Sequence, residues 1–278
     1  MSIYAAKALR EQYSLVYDFL KHYVEMKGIE FKEIDSTNLW CRDYMPVKIR
    51  NDYVKFKYLG YNGYPQMEVS DDCWKPFNVY RSDIVLDGGN VVQNDDCVFI
   101  TEQVFKNNPH LLRNDLIQFL KDTFDKRLIF IPVEPGDELG HADGIIKFVN
   151  DKVVLVNDYR AWINQTQWEY AIRLEAILMR NKFDIIRLPW AYQKMPIMSE
   201  VEFRKKYSYA DDFNPGFGYY INYYQFADVV LMPTFGIGED VDALICLKNC
   251  FPECEVVPVD CRDLSMLGGL MNCVTWED

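Results

Sequence analysis

Residues 141–156 read HADGIIKFVNDKVVLV. The segment opens with polar residues suited to chemistry, continues as a short strand, turns at an Asn-Asp pair and returns as an apolar strand. Three other segments follow the same plan: DYMPVKIRNDYVKF at 43–56, DGGNVVQNDDCVFI at 87–100 and NYYQFADVVLM at 222–232. A fifth copy would begin at Asn272 and Cys273. A unit that recurs in this way predicts a repeat architecture.

Helical periodicity lies between these hairpins. Apolar residues recur at helical spacing from Leu9 to Val24 and stop before Gly28, and later helical patterns cover 111–124, 168–180 and 240–247. Short strands follow the helices at 29–34, 127–132, 183–188 and 255–259. Strand pair, helix and strand therefore form a ββαβ unit, which predicts an α/β fold with hairpins rather than a doubly wound sheet. The length of 278 residues suits a single domain spanning 1–278.

The composition is that of a globular protein, because 49% hydrophobic residues suffice for a sizeable core. No stretch reaches the roughly 18 apolar residues of a membrane span. Lys7, Arg10 and Glu11 lie where a signal peptide would be apolar, so we expect a cytoplasmic protein that does not insert into membranes. The net charge of −12 disfavours nucleic acid and favours cationic small molecules as partners. The eight cysteines are expected to be reduced thiols.

Equivalent positions of a closed repeat converge on its axis. The sequence therefore predicts one shared pocket for Asp43, Asp87, His141, Asp143, Asn222 and Cys273. This set comprises a nucleophile, a base and several carboxylates.

Five motifs in this order resemble the agmatine deiminase and bacterial peptidylarginine deiminase family, within the guanidine-modifying pentein superfamily. They are WCRDYMP at 40–46, DGGN at 87–90, GHADG at 140–144, YIN at 220–222 and GGLMNCVT at 268–275. The resemblance implies a five-bladed α/β propeller, the pentein fold, in agreement with the ββαβ repeat. It also implies a metal-independent and cofactor-independent hydrolase of agmatine or an arginine-type substrate, and a homodimer.

The residue types suit hydrolysis of a guanidinium group. Asp43 and Asp143 are the candidates for bidentate, charge-assisted hydrogen bonds to the planar cation. Cys273 would attack its carbon and form a covalent thiouronium intermediate. His141 would protonate the departing ammonia and later deprotonate the attacking water. The resemblance assigns Asp87 to hold the imidazole in one tautomer.

Three residues near these motifs have more than one interpretation. The resemblance places Asn222 at the site, bonded to His141 or to the substrate. Trp40 either walls the guanidinium site or fills the core, and strand alternation relative to Asp43 favours the core. Arg42 either binds a substrate carboxylate or forms a structural ion pair, with the ion pair favoured. Cys246, Cys250 and Cys254 have four-residue spacing, but a proline interrupts their helix and no histidine is near, so we expect no metal site.

Two features depart from the family pattern. Only a helix and the 29–34 strand precede the first motif, so we expect a trimmed first blade or the absence of the pocket wall it supplies. The last motif lacks the usual Gly-Gly-Gly-Asn-Ile-His-Cys, which leaves agmatine open as the substrate. A long segment at 190–218 is either a lid or binding loop or a solvated insertion. Its charged and aromatic residues would suit an amine, a carboxylate or a peptide.

Two rival functions stay open. An amidinotransferase would use the same triad and differ only in whether an amine or water accepts the amidino group. A non-catalytic guanidine-binding protein would keep the fold without turnover. The complete set of nucleophile, base and carboxylates favours an enzyme.

Overall fold

The computed structural model describes residues 1–58, 60, 77–161, 164–195 and 215–278. The strands are, in chain order, β1 Ser2–Ala6, β2 Glu30–Ile34, β3 Val47–Ile49, β4 Asp52–Lys57, β5 Val79–Val85, β6 Val92–Gln93, β7 Cys97–Thr101, β8 Arg127–Ile131, β9 Ile146–Phe148, β10 Val153–Asn157, β11 Asp184–Leu188, β12 Tyr224–Phe226, β13 Val229–Thr234, β14 Glu255–Asp260 and β15 Trp276–Glu277. The helices are α1 Lys7–Gln12, α2 Ser14–Met26, α3 Cys41–Tyr44, α4 Gln103–Asn107, α5 Arg113–Phe124, α6 Gln165–Arg180, α7 Glu239–Cys250 and α8 Arg262–Ser265. Short 3₁₀ turns span Gly88–Asn90, Ala142–Gly144, Tyr159–Ala161, Tyr192–Lys194 and Tyr220–Asn222.

Within the described residues, the strands form five three-stranded sheets of one design. Their orders are β3-β4-β5, β6-β7-β8, β9-β10-β11, β12-β13-β14 and β15-β1-β2. In each sheet the middle strand pairs antiparallel with one neighbour and parallel with the other. An antiparallel pair needs only a hairpin, whereas a parallel pair needs a crossover. Helices α1 and α2, α4 and α5, α6, and α7 lie in four of these crossovers, so the predicted ββαβ unit is present.

The sheets belong to two compact units. One unit consists of residues 1–42 and the described part of 189–278, and it contains the sheets β12-β13-β14 and β15-β1-β2. The other consists of residues 43–58 and the described part of 77–188, and it contains the remaining three sheets. The middle strands β7 and β13 are buried almost along their whole length. Burial on both faces explains why these strands read as continuous apolar runs.

The hairpin turns owe their Asn and Asp content to a specific hydrogen-bond pattern. The side-chain oxygen of Asn94 accepts from the backbone N–H groups two and three residues later, at 3.1 and 2.9 Å. Asn150 does the same in the next hairpin, at 2.9 and 3.0 Å. Each amide thus replaces a backbone acceptor that the turn cannot supply.

Of the two alternatives expected for the N-terminal region, strand β1 shows that a trimmed first blade is wrong, and the absence of a pocket wall stays a prediction. Its five residues pair parallel with β2, and two of them pair antiparallel with β15, so this sheet has all three strands. The Asp278 carboxylate reinforces the pairing by accepting from the backbone N–H of Ser2 at 2.7 Å and from the hydroxyl of Tyr4 at 3.2 Å. The strand escaped prediction because its sequence, SIYAA, is buried throughout and leads directly into a helical pattern.

The predicted N-terminal helix is two helices. Tyr13, at φ −135° and ψ 56°, separates α1 from α2 because these angles are not helical. Gly28 follows the end of α2 at φ +70°, the conformation expected of a glycine that ends a helix. The other predicted helices are present as α5, α6 and α7, and the strands predicted after them are present as β8, β11 and β14. Among the helices of the described ranges, none combines the length and apolar character that crossing a bilayer requires.

Candidate active site

The predicted site residues lie on tight turns that precede the first strand of each sheet. Asp43 lies in α3 before β3, Asp87 starts the turn before β6, His141 and Asp143 lie at the turn before β9, Asn222 ends the turn before β12, and Cys273 lies in the turn at 270–275 before β15. All of these residues except Asp87, whose side chain is 13% exposed, are buried. The repeat therefore presents them at equivalent places in its modules.

His141 is held between two carboxylates. Its Nε2 atom lies 3.1 Å from Oδ2 of Asp87, which is hydrogen-bond distance. Its Nδ1 atom lies 3.6 Å from Oδ1 of Asp43, which is an ion-pair distance. The same Asp43 oxygen accepts the backbone N–H of Gly89 at 3.1 Å. The structure thus brings together three of the predicted residues around one imidazole.

The charges of this cluster set its protonation. Burial alone would lower the pKa of His141, but the negative charges of Asp43, Asp87 and Asp143 outweigh it and raise the pKa to about 10. Burial raises the pKa of Asp43 to about 7, against the opposing attraction of His141. At neutral pH the imidazole therefore carries a proton on each nitrogen, and Asp43 exchanges its proton near neutrality.

Gly89 is required by the packing of this cluster. A Cβ atom at this position would lie 2.5 Å from Oδ1 of Asp43 and 2.8 Å from Nδ1 of His141. Both atoms belong to groups fixed by hydrogen bonds, so neither can move aside without breaking the cluster. The second glycine of the DGGN motif therefore serves close approach of the backbone to the imidazole and carboxylate.

Asp137 is a residue of this site that sequence reasoning missed. Its carboxylate accepts the backbone N–H of Leu139 at 2.9 Å and that of His141 at 3.2 Å. Burial raises its pKa, although the charge of His141 and three backbone hydrogen bonds oppose the increase. The signal in the sequence was an aspartate four residues before the histidine, with Gly140 between them, which is typical of a side-chain-capped turn.

Cys273 and Asn222 lie together in the other compact unit. The Cys273 thiol donates to Oδ1 of Asn222 at 3.4 Å, and the same oxygen accepts the backbone N–H of Asn272 at 3.2 Å. Asn222 therefore contacts the predicted nucleophile directly, an arrangement that neither of its two interpretations included.

Arg42 forms hydrogen bonds with the turn that contains Cys273. Its backbone N–H donates to the carbonyl of Cys273 at 3.1 Å, and its Nε donates to the carbonyl of Asn272 at 3.3 Å. These contacts are hydrogen bonds to carbonyl groups rather than the ion pair favoured from the sequence. Arg42 thus helps to fix the backbone that carries the thiol.

Trp40 packs against Gly269. A Cβ atom on Gly269 would lie 2.3 to 2.9 Å from three ring atoms of Trp40, so only glycine permits this contact. The argument from strand alternation was wrong, because residues 41–44 form the short helix α3. Trp40 is 4% exposed, and Cys41 is buried with its thiol directed to the carbonyl of Tyr4 at 3.8 Å. Contact of Trp40 with substrate stays a prediction.

The long segment predicted at 190–218 lies mostly outside the described residues. The described part, 190–195 and 215–218, contains Trp190, which stacks on Tyr192 with 6.0 Å between ring centroids. Several charged residues of this segment, Arg204, Lys205, Asp211 and Asp212, fall outside the described residues, so their contact with a substrate stays a prediction.

Comparison with known proteins agrees with this geometry. Residues 3–278 match the family described as Porphyromonas-type peptidyl-arginine deiminase. The chain belongs to that family. The agmatine deiminase of Pseudomonas fluorescens is 25% identical over 299 residues, which cover 94% of this chain and 80% of that protein.

Two solved structures show the fold. The agmatine deiminase of Enterococcus faecalis superposes with a TM-score of 0.79 at 17% identity and covers 100% of this chain and 92% of its own. An amidinotransferase from Microseira wollei superposes with a TM-score of 0.63 at 13% identity, covering 94% of this chain and 81% of its own.

The family and the pentein fold class of ββαβ modules, predicted from the motifs, are confirmed. The predicted enzyme class is confirmed as well, a hydrolase of the deiminase type that acts on the C–N bonds of linear amidines. The extent of a single domain over 1–278 and the roles of the individual site residues stay predictions.

Proposed function

We propose that this protein hydrolyses the guanidine group of agmatine or of an arginine-type compound to a ureido group and ammonia, with Cys273 as nucleophile and His141 as acid and base. The observation that carries the proposal is the position of His141 between Asp87 and Asp43. Such an arrangement keeps the imidazole protonated and oriented, which is the state that a departing ammonia needs.

The carboxylates of the cluster support a cationic substrate. Asp43 and Asp87 contact the imidazole of His141, and the charges of these two carboxylates and of Asp143 raise its pKa. One imidazolium cannot balance three negative charges in a buried place. A guanidinium bound by Asp43 and Asp143 would supply the compensating charge and would donate bidentate hydrogen bonds to both carboxylates.

The first half-reaction forms a carbon–sulfur bond. The Cys273 thiol releases its proton to water, the resulting thiolate adds to the guanidine carbon, and the bond from that carbon to a terminal nitrogen breaks. Protonated His141 gives its proton to this nitrogen, so that ammonia departs and a thiouronium stays bonded to Cys273. Asn222, which accepts the hydrogen bond of the resting thiol, orients the sulfur before attack.

The second half-reaction uses the neutral imidazole left by the first. His141 takes a proton from water, the resulting hydroxide adds to the thiouronium carbon, and the carbon–sulfur bond breaks. The hydroxyl proton of the addition intermediate passes to the departing sulfur, the ureido product leaves, and the Cys273 thiol and protonated His141 are restored. Asp87 favours the return of the proton because it accepts the Nε2–H hydrogen bond.

Amidino transfer is the second candidate, and the fold shared with the Microseira wollei amidinotransferase favours keeping it. It also begins with attack of the Cys273 thiolate on the guanidine carbon, but the substituted amine departs in place of ammonia, and a second amine replaces water in the second half-reaction. The two outcomes differ in the oxygen of the product, since only hydrolysis places a water oxygen in a ureido group.

One assay separates these possibilities. Ammonia release and the organic product are measured for agmatine, arginine, and peptides with internal or C-terminal arginine, in ¹⁸O-labelled water and with a Cys273→Ala control. We expect a labelled ureido product from one substrate class and none in the control. Product without label when glycine is added as acceptor would indicate transfer. The absence of detectable product from every substrate, with and without glycine, would contradict the proposal.

The proposal also covers the location of the enzyme, the charge of its substrate, its oligomeric state and its need for cofactors. The acidic net charge of −12 supports an enzyme that acts on a cationic small molecule rather than nucleic acid, and we propose that it works in the cytoplasm. Membership of the family supports a homodimer without metal or organic cofactor. Light scattering and metal analysis of the purified protein test these points.

A further inference from the structure

Asp137 gathers three successive backbone N–H groups. It lies between β8 and the turn Ala142–Gly144, and its two oxygens accept the N–H groups of Leu139 and His141 at 2.9 and 3.2 Å. The N–H of Gly140, between them, also donates to this carboxylate. Successive N–H groups that converge on one anion form a nest, an arrangement that fixes the local backbone.

Gly140 leaves this backbone little freedom. It has φ +62°, a conformation that residues with a side chain rarely adopt. A Cβ atom here would lie 2.9 Å from Cβ of Gln103 and 3.1 Å from Cγ1 of Val133. The peptide that precedes His141 is therefore confined by packing as well as by hydrogen bonds.

A second hydrogen bond holds the same peptide from the opposite side. The hydroxyl of Thr101 donates to the carbonyl of Gly140. The backbone N–H of Thr101 in turn donates to the side chain of Asn90, the last residue of the DGGN motif, at 2.8 Å. Asp137 on the N–H groups and Thr101 on the carbonyl thus fix the turn that leads into His141 relative to the turn that follows Asp87.

We propose that Asp137 is a positioning residue for the deiminase reaction, whose carboxylate holds the backbone of His141 so that the imidazole stays between Asp43 and Asp87. This inference rests on the catalytic role proposed above for His141. Asp137 contacts the main chain of His141 and leaves the acid–base chemistry to the imidazole. Its effect on the reaction is therefore geometric.

The charge of Asp137 offers a competing explanation. Asp43 and Asp87 contact His141, the negative charges of these two residues and of Asp143 raise its pKa, and Asp137 also interacts electrostatically with it. The Asp137→Glu variant keeps the negative charge but moves the oxygens outward by one methylene, whereas Asp137→Asn keeps the shape but loses the charge and one acceptor. If position matters, both variants lose activity. If charge alone matters, the glutamate variant keeps it.

The first test is steady-state kinetics of the full-length enzyme with its best guanidine substrate. We expect kcat to fall by about 10- to 100-fold in both variants, because a displacement of about 1 Å at a catalytic group has that effect, while KM changes little. Wild-type kcat in Asp137→Glu would overturn the proposal. The matched control is Asn150→Ala, which removes an equivalent side-chain cap from the exposed β9–β10 turn of the same unit and should leave kcat unchanged.

The second test needs no turnover and so separates this inference from the proposed function. The imidazole of His141 is followed by NMR as a function of pH. Among the signals of the three histidines, that of His141 is the one missing from the His141→Asn variant. We expect its titration midpoint to fall in Asp137→Glu, because the imidazole drifts from Asp87. An unchanged His141 midpoint in Asp137→Glu would overturn the inference even if the wild-type enzyme is active. A lowered midpoint in Asp137→Glu, together with a wild-type protein that turns over no substrate, would support the positioning role and refute the proposed function.

Thr101→Val covers the case in which the Asp137 variants do not fold. It removes only the hydroxyl that holds the Gly140 carbonyl. We expect the same lowering of kcat and of the His141 midpoint, to a smaller extent. Wild-type values of both would contradict the idea that this turn positions the imidazole.

Discussion

The Nδ1 atom of His141 lies 3.6 Å from Oδ1 of Asp43, and that carboxylate oxygen is also bonded to the N–H of Gly89. One oxygen therefore connects the residue proposed to bind the guanidinium with the residue proposed to move protons. When a cation occupies Asp43, its charge acts against the proton on His141. A guanidinium bound at Asp43 would therefore lower the pKa of His141 from its raised value, which suits an imidazole proposed both to give and to take a proton.

Replacement of Cys273 tests the nucleophile. Cys273→Ala should abolish turnover and leave guanidine binding intact, because the carboxylates that bind the cation lie elsewhere in the chain. Ammonia release and isothermal titration calorimetry measure the two effects. As a control, Cys97→Ala removes a buried thiol outside the proposed site and should retain turnover. Measurable turnover by Cys273→Ala would exclude the covalent mechanism.

Replacement of Asp43 or Asp143 tests the guanidinium site. Asp43→Asn and Asp143→Asn should each weaken substrate binding and transition-state binding by about 2–4 kcal/mol, because a buried cation loses its partner. Asp122→Asn, on the exposed face of α5, serves as the control. Unchanged binding and activity in Asp143→Asn would show that the assignment of this carboxylate is wrong.

The raised pKa of Asp43 predicts that binding depends on pH. Burial raises this pKa to about 7, so the carboxylate is neutral below that pH and cannot balance a guanidinium. The dissociation constant of a non-hydrolysed guanidine should therefore rise about tenfold for each unit of pH below about 7 in the Cys273→Ala protein. Calorimetric titrations between about pH 5 and pH 8 test this slope. A flat profile would mean that Asp43 stays ionised throughout.

The same cluster predicts how stability depends on pH. The pKa of His141 is raised from 6.5 to about 10, so its contribution to the free energy of unfolding is complete below pH 6.5 and is lost as pH rises through about 10. The pKa of Asp43 is raised from 3.8 to about 7, so its contribution is complete below pH 3.8 and is lost as pH rises through about 7.

Asp43 is present in both proteins, so the comparison reports the contribution of His141, and the stability advantage of the wild type over His141→Asn should narrow between about pH 6 and pH 10. Urea unfolding of the two proteins measures it, and His110→Asn controls for the loss of an imidazole outside the cluster. An advantage that widens with pH would mean that the imidazole is neutral in the native protein.

Gly269 and Trp40 offer a test of packing. Gly269→Ala should lower the free energy of unfolding by about 1–3 kcal/mol, because its methyl group would overlap the indole ring. Trp40→Leu removes the overlapping ring atoms, so the second substitution should cost much less in that background. Urea unfolding of the four proteins completes the cycle. Strictly additive effects would show that the two residues do not contact each other.

The sequence determined the module and its chemistry. Alternation in the hairpins, Asx-rich turns and helical periodicity are local properties, so the ββαβ unit could be identified from segments such as 141–156 without any distant contact. The order of the five motifs then identified the family. His141, Asp87 and Asp43 could be selected because their residue types suit guanidine chemistry, and the structure brings these three together.

Only the tertiary structure decided features that depend on partners distant in the chain. Strand β1 is defined by its pairing with β2 and β15, and five buried residues carry no alternation that could reveal it. The role of Asn222 depends on its contact with Cys273, fifty-one positions later. The orientation of Trp40 relative to Asp43 depends on the helical turn at 41–44, whereas the alternation of side chains would require a strand there.

Asp137 shows the physical reason most clearly. Aspartates are common in turns, so its identity carried no information, whereas its carboxylate became informative when three N–H groups were seen to converge on it. Local patterns in a sequence fix the periodicity of strands and helices, because these depend on neighbouring residues. Hydrogen-bond partners, burial and the resulting pKa values depend on which segments pack together, and these exist only in the folded chain.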